Sequence, residues 1–313
     1  MSARLGTAWA RGLVAAAAAL GLAFALPSLA QRAAPHPGAS RNIDAACKGV
    51  DPWSAKGWAV PAPPAHVYGG TWYVGTCGIT SLLVETGAGL VLLDGGVPEA
   101  APLVIANIRR LGFNPRQIRW ILVSHEHWDH AGAVPEIQKL TGARIVAGPN
   151  QLSALSSGKA SPDDPQLPFF AGHELPPLKV AQTLRDRQRL TVGDVSFVAV
   201  ATPAHAPGST SWYWKECEGG VCRTIAYADS VSTPAPDGFR FSDHPPRIRG
   251  IEAGLTAISS MPCDILITPH PAVSDLLPRL SGAKPLVQPG ACLAYARTAR
   301  ETFTARIAAE KAK

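Results

Sequence analysis

The chain is short of apolar length where it most resembles a membrane anchor. Residues 12–26 are almost wholly apolar, but a run of about 15 falls below the ~20 that a bilayer-spanning helix needs. Acid is missing from residues 1–11, which carry Arg4 and Arg11 instead, and Ser28-Leu29-Ala30 offers a small-x-small cleavage site. These features predict a secretory signal peptide over 1–30 and a periplasmic mature protein. Cysteine is absent before position 47, so none follows the cut to take a lipid, and no membrane anchor is expected after cleavage. Lys and Arg outnumber Asp and Glu only 29 to 23, and they are scattered. Without a basic stripe or an aromatic platform, nucleic acid is not expected as a partner. A Gly-x-Ser-x-Gly elbow is also missing, so the sequence offers no such serine nucleophile. Cleavage would leave 283 of the 313 residues and lower the formal charge from +6 to +4, enough chain for a substantial core.

What the chain does have is concentrated histidine. Residues 124–132 read Ser-His-Glu-His-Trp-Asp-His-Ala-Gly, placing His125, His127, Asp129 and His130 within six positions. Nine histidines occur in all, and three of them fall in this run. The apolar stretch 118–123 before it reads as a buried strand, so the cluster sits where a strand ends, the usual position of a site in an α/β sheet. Neutral imidazoles with a carboxylate suit zinc that keeps an open coordination position. His205 follows the strand-like run 195–200 and His270 follows 264–269, which repeats the strand-then-histidine context at a composite site. His36, His66, His173 and His244 lie in Pro-rich or turn-like surroundings and read as surface residues.

The coarse organisation is mixed α/β. Residues 31–65 are rich in Ala and Pro and read as an extended lead-in, and 66–313 as the main domain. Strands are expected at 66–76, 80–86, 89–94, 118–124, 143–147, 179–184, 194–202, 209–216, 223–228 and 264–269. Pro98 opens an amphipathic helix with Leu103, Ile108 and Leu111 on one face, stopped by Gly112. Further helices are expected near 133–141, 247–260 and 290–311, with a long irregular loop at 153–178 holding Phe169 and Phe170. Six cysteines in an exported chain read as a disulfide framework with 15 possible pairings. Cys217 and Cys222 flank a Gly-Gly turn, which makes them the local pair.

The His-x-His-x-Asp-His cluster, the later His205 before Pro207-Gly208, Tyr227-Ala228-Asp229-Ser230 and the terminal His270 resemble the metallo-β-lactamase superfamily. Within it the chain is similar to the zinc β-lactamases of class B, third subclass. Tyr73-Val74-Gly75-Thr76-Cys77-Gly78 and Gly208-Ser209-Thr210-Ser211-Trp212 add to the likeness, which spans roughly 66–300. The resemblance implies a four-layer αββα sandwich with the metal site at one edge of its two sheets. It implies two zinc ions per chain, one held by His125, His127 and His205, the other by Asp129, His130 and His270. It favours a Cys263–Cys292 bridge, leaving Cys47 with Cys77.

The activity so implied is hydrolysis of the amide bond of β-lactam antibiotics, penicillins, cephalosporins and carbapenems alike, by a zinc-bound hydroxide, giving antibiotic resistance. Asp129 would also orient the attacking group. Ser230, Ser232 and Gln166 are the expected substrate contacts, while Asp94 and Asp229 read as groups that hold ligands and loops in place. The expected partner is a small-molecule β-lactam, and the chain is expected as a monomer. The alternatives are a di-zinc lactonase or thioesterase of the same fold, in which the acid at Asp229 would bridge the metals, and a non-catalytic periplasmic metal-binding protein.

Overall fold

Burial alternates along the strands with both faces covered, and that pattern builds the layers. Leu82, Val84, Val91, Leu93 and Leu122 point into one apolar cluster, whereas Leu83, Leu90, Leu92 and Ile121 point into another. The same split separates Ile225, Tyr227, Ile265 and Ile267 from Ala226 and Leu266. A strand whose two faces are both apolar needs a packed layer on each side. The computed structural model describes Met1, Ser2, His36 and residues 38–312. Beyond its first two residues, the signal peptide expected at 1–30 lies outside the described residues. Everything below belongs to the unit Arg32–Lys313.

Seven strands form the first sheet in sequence order: β1 (Ala65–Tyr68), β2 (Thr71–Tyr73), β3 (Leu82–Thr86), β4 (Gly89–Leu93), β5 (Ile118–Leu122), β6 (Arg144–Ala147) and β7 (Val180–Thr183). The first four pair antiparallel, and β4 to β7 pair parallel. The second sheet has β8 (Arg189–Val192), β9 (Val195–Ala201), β10 (Thr210–Glu218), β11 (Val221–Tyr227) and β12 (Ile265–Ile267), in the order β12-β11-β10-β9-β8. Its last strand pairs parallel to β11, the rest antiparallel.

The helices in chain order are α1 (Ile43–Ala46), α2 (Ala55–Trp58), α3 (Ala101–Arg110), α4 (Trp128–Ala131), α5 (Val134–Thr141), α6 (Leu152–Ser157), α7 (Pro245–Ser259), α8 (Leu276–Leu280) and α9 (Ala291–Lys311). α3 and α5 cover the outer face of the first sheet through Val104, Ile105, Ile108 and Ile137. α7 and α9 cover the second through Ile258, Cys292 and Ala296. This is the expected αββα sandwich. Each fully buried Leu, Ile or Phe in it contributes roughly 1.5–3 kcal/mol. Among the described residues no helix is long and apolar enough to cross a membrane.

Several elements differ from the sequence reading. The lead-in is not simply extended: it holds α1 and α2, and Ile43 is fully buried in the core between the sheets. β8 was not expected as a strand of its own. The long loop begins with α6 and includes a 3-10 turn at Leu167–Phe170. α3 buries Val104, Ile105 and Ile108, with Leu103 only at the margin.

All six cysteines are paired, as Cys47–Cys77, Cys217–Cys222 and Cys263–Cys292. Cys217 and Cys222 are directly opposed in the β10–β11 hairpin. The other two bridges close spans of 30 and 29 residues. Loops of that size make a bridge worth about 3–4 kcal/mol in the chain-entropy account. An oxidising environment is the setting in which such bridges persist.

Candidate metal centre

Strand direction gathers the candidate residues on one edge. Asp94 follows β4, and His125 to His130 follow β5. His205 follows β9, Ser230 and Ser232 follow β11, and His270 follows β12. Within each sheet the pairing makes these C-terminal ends point the same way. Two hydrogen bonds hold the sheets in step beside the site. Trp212 Nε1 donates to the Val123 carbonyl at 3.2 Å, and the Tyr227 hydroxyl donates to Asp94 Oδ2 at 2.6 Å. Asp94 takes a left-handed backbone (φ 56°) to turn out of β4. Its carboxylate also accepts from the Ser124 backbone N–H at 2.7 Å and hydroxyl at 2.6 Å, which fixes the start of the histidine loop.

The structure brings all six candidate ligands together. Ring centroids lie 4.6 Å apart for His125 and His127, 4.9 Å for His205 with each of them, and 4.3 Å for His125 and His130. His270 joins at 5.0 Å from His130. Two groups place one ligand atom per residue within 4.8 Å of one another: His125, His127 and His205, and His125, Asp129 and His130. Asp129 Oδ2 also reaches His130 Nε2 at 3.0 Å and His270 Nε2 at 3.4 Å.

Three of the rings are oriented from behind. Asp229 Oδ1 faces His125 Nδ1 at 2.9 Å, Asp164 Oδ2 faces His127 Nε2 at 2.8 Å, and the Ser232 carbonyl faces His205 Nδ1 at 2.7 Å. A carboxylate or a carbonyl only accepts, so each of these nitrogens carries the proton and the other one presents a lone pair. This is how metal-binding histidines are held. His125 Nε2 is buried without a hydrogen-bond partner, and so is His130 Nδ1, while His130 Nε2 has only the Asp129 carboxylate beside it at 3.0 Å. An orphaned ring lone pair, converging with a carboxylate, fits a metal cation.

The electrostatics agree with that fit. Burial, reinforced by neighbouring imidazoles, holds His125 and His205 well below the usual histidine range, so both are neutral. Burial opposes charge on Asp129, yet His130 and His270 outweigh it and keep the carboxyl well below its usual range. For His127 and His130 burial is overcome by Asp164 and Asp129, which raise both rings. A cation therefore competes with a proton at these two positions.

A cleft of about 880 Å³ opens over the cluster. His127, Asp129, His205 and His270 form its floor, and Gln166, Ser230 and Ser232 are also in its wall. Trp53, Trp58, Phe169 and Phe170 supply an aromatic rim. Ser230 and Gln166 are buried while Ser232 is exposed, and Gln166 Nε2 also donates to the His205 carbonyl at 3.3 Å. His173, read from sequence as a surface residue, is exposed but stacks on Trp128 at 4.4 Å and lines the cleft. His36 and His66 pack on Trp72, and His244 on Phe239. Asp164, the partner of His127, escaped sequence reasoning, since nothing in its Pro-flanked loop points 37 positions back.

Fold and site together define a metal-dependent hydrolase of the αββα class. The family profile of the metallo-β-lactamase superfamily matches residues 74–219. The chain is 52% identical to the metallo-β-lactamase MIM-1 from Novosphingobium pentaromativorans, with a TM-score of 0.82 over 86% of this chain and 98% of that one. It is 30% identical to BJP-1, a subclass B3 metallo-β-lactamase of Bradyrhizobium japonicum, with a TM-score of 0.71 over 82% and 98%. Among curated proteins it is 29% identical over 170 residues to a hydroxyacylglutathione hydrolase of Fuscovulum blasticum, matching 54% of this chain and 53% of that protein. The match thus spans about half the length of that curated relative. The chain belongs to the metallo-β-lactamase superfamily.

Proposed function

We propose that the protein is a periplasmic β-lactamase with two zinc ions, a monomer that opens the cyclic amide of β-lactam antibiotics and so protects the cell. His125, His127 and His205 hold one ion; Asp129, His130 and His270 hold the other. When bound, zinc would supply Lewis acidity that lowers the pKa of water towards ~7 and stabilises negative charge on the departing nitrogen. Asp129 accepts a hydrogen bond from the attacking water and aims it at the carbonyl. Ser230 and Ser232 donate to the substrate carboxylate, Gln166 bounds the cleft beside them, and the tryptophan and phenylalanine rim excludes water from the apolar side of the drug.

One observation favours this reading over a thioesterase or lactonase of the same fold, a rival that the hydroxyacylglutathione hydrolase match raises. Asp229 is engaged on His125 Nδ1 at 2.9 Å and belongs to neither group of converging ligand atoms. An acid that bridges two metals has to stand in front of the histidines; this one stands behind one of them. The deciding experiment is turnover of a chromogenic cephalosporin by the purified mature protein, abolished by a chelator and restored by zinc. Hydrolysis of lactones or glutathione thioesters without cephalosporin turnover would transfer the protein to the rival class. Zinc binding without any hydrolysis would make it a metal-binding protein.

A further inference from the structure

The loop carrying His205 has no regular structure between β9 and β10, and α7 imposes its shape. Arg247, in the first turn of α7, donates Nη1 to the Pro203 carbonyl at 2.6 Å. Its Nη2 donates to the carbonyls of Ala204 at 2.8 Å and His205 at 2.9 Å. Three successive carbonyls therefore converge on one half-buried guanidinium. Gly254, two turns along the helix, presses on the same loop. A Cβ there would lie 2.8 Å from the Ala204 nitrogen and 2.9 Å from the Thr202 carbonyl carbon. The guanidinium also lies in the field of Asp164 and Glu126. Asp164 is the carboxylate that orients His127.

We infer that Arg247 is a positioning residue for the three-histidine half of the metal centre: its fork fixes the loop that carries His205. The inference rests on the zinc reading above. One side chain on α7 thereby braces a ligand loop 42 positions away in sequence. A planar fork suits three fixed acceptors; a lysine ammonium keeps the charge but not the geometry.

The test uses the mature protein with R247Q, which loses the charge, and R247K, which keeps it. A His270→Ala background leaves only the three-histidine group complete. Zinc affinity is read by competition with a chromophoric chelator, beside the melting temperature of the metal-free protein. R247Q is expected to weaken zinc 10- to 100-fold, the usual effect of losing a group that orients a ligand. R247K should recover part of that loss, and metal-free melting should stay within a few degrees of the parent. In the His270-containing enzyme kcat should fall more than KM rises. Unchanged zinc affinity in R247Q with lowered melting would overturn the inference and leave Arg247 a plain structural brace. If R247Q does not fold, R247K decides, since full parental affinity there removes the fork from the argument. Failure of the unsubstituted protein to take up zinc would instead strike down the metal reading, and this inference with it.

Discussion

Asp229 and His125, both fully buried, meet at 2.9 Å from strands of opposite sheets. Burial raises the Asp229 carboxyl above its usual range, so this acceptor is kept in place by packing rather than by exposure to water. Its geometric consequence is a fixed ring orientation and a lone pair on His125 Nε2. Replacing Asp229 with Ala is expected to weaken metal binding about 10- to 100-fold. Asn, which retains a carbonyl acceptor, should lose less. Chelator competition on both variants checks this, and undiminished affinity in the Ala variant would remove Asp229 from the site.

Asp129 is assigned two tasks, ligand and orienting acceptor. Asp129→Asn preserves its shape and removes its charge. Hydrolysis should fall by about two to four orders of magnitude, the range of positioned acid-base groups. Metal analysis on the same sample separates the tasks: near-native turnover at full occupancy would refute the orienting role.

Ser232 meets His205 Nδ1 through its backbone carbonyl at 2.7 Å and its hydroxyl at 3.2 Å, and replacing the serines leaves the nearer acceptor in place. Replacing Ser230 and Ser232 together with Ala removes hydrogen bonds to a charged group, each worth about 1.5–3 kcal/mol. The loss is expected mainly in KM, with zinc content and melting close to the parent. Unchanged kinetics would take both serines out of substrate recognition.

Glu126 carries a pH signature. It sits between two ligands, buried, with neither carboxylate oxygen hydrogen-bonded. Burial pushes its carboxyl from 4.5 up to about 7. With the folded value above the unfolded one, the folded state binds the proton more tightly. Stability of the metal-free protein therefore declines as pH rises from about 4.5 to about 7, and the full cost stands above that window. Glu126→Gln should abolish this part of the slope and be more stable than the parent at pH 8, by on the order of 3 kcal/mol. Melting curves of both proteins across that window decide, and parallel profiles would contradict the assignment.

How legible all this was in the sequence depended on range. The six ligand candidates stood out because each follows an apolar run, and the run and its histidine are neighbours in sequence. The strands that carry them were equally visible, since Val91-Leu92-Leu93 or Ile265-Leu266-Ile267 must be buried on both faces. β8 was not: it offers only Leu190 and Val192 to the core, set between Arg189 and Thr191. α1 and α2 are four residues each, too short for a helical period to register, and are held by the burial of Ile43 and the Cys47–Cys77 bridge. Asp164 and Arg247 were hidden for another reason. Their roles come from what the fold sets beside them, 37 and 42 positions away, and no local pattern encodes such a partner.

The attachment of every candidate ligand to the end of a strand has an evolutionary side. Strand ends are tied to the register of two packed sheets, and a shift of one residue would turn a ligand away from the site. The segments that form the rim are not so bound. Residues 158–178 run between α6 and β7, and the piece bearing Trp53 and Trp58 is held by the Cys47–Cys77 bridge and by hydrogen bonds from Thr76 and Cys77. Away from Asp164 and Gln166, which contact His127 and the His205 carbonyl, insertions, deletions and aromatic exchanges in these two stretches can accumulate while the cluster beneath keeps its geometry. Descendants of such a chain can therefore drift in the drugs they accept while the bond-breaking apparatus is inherited intact.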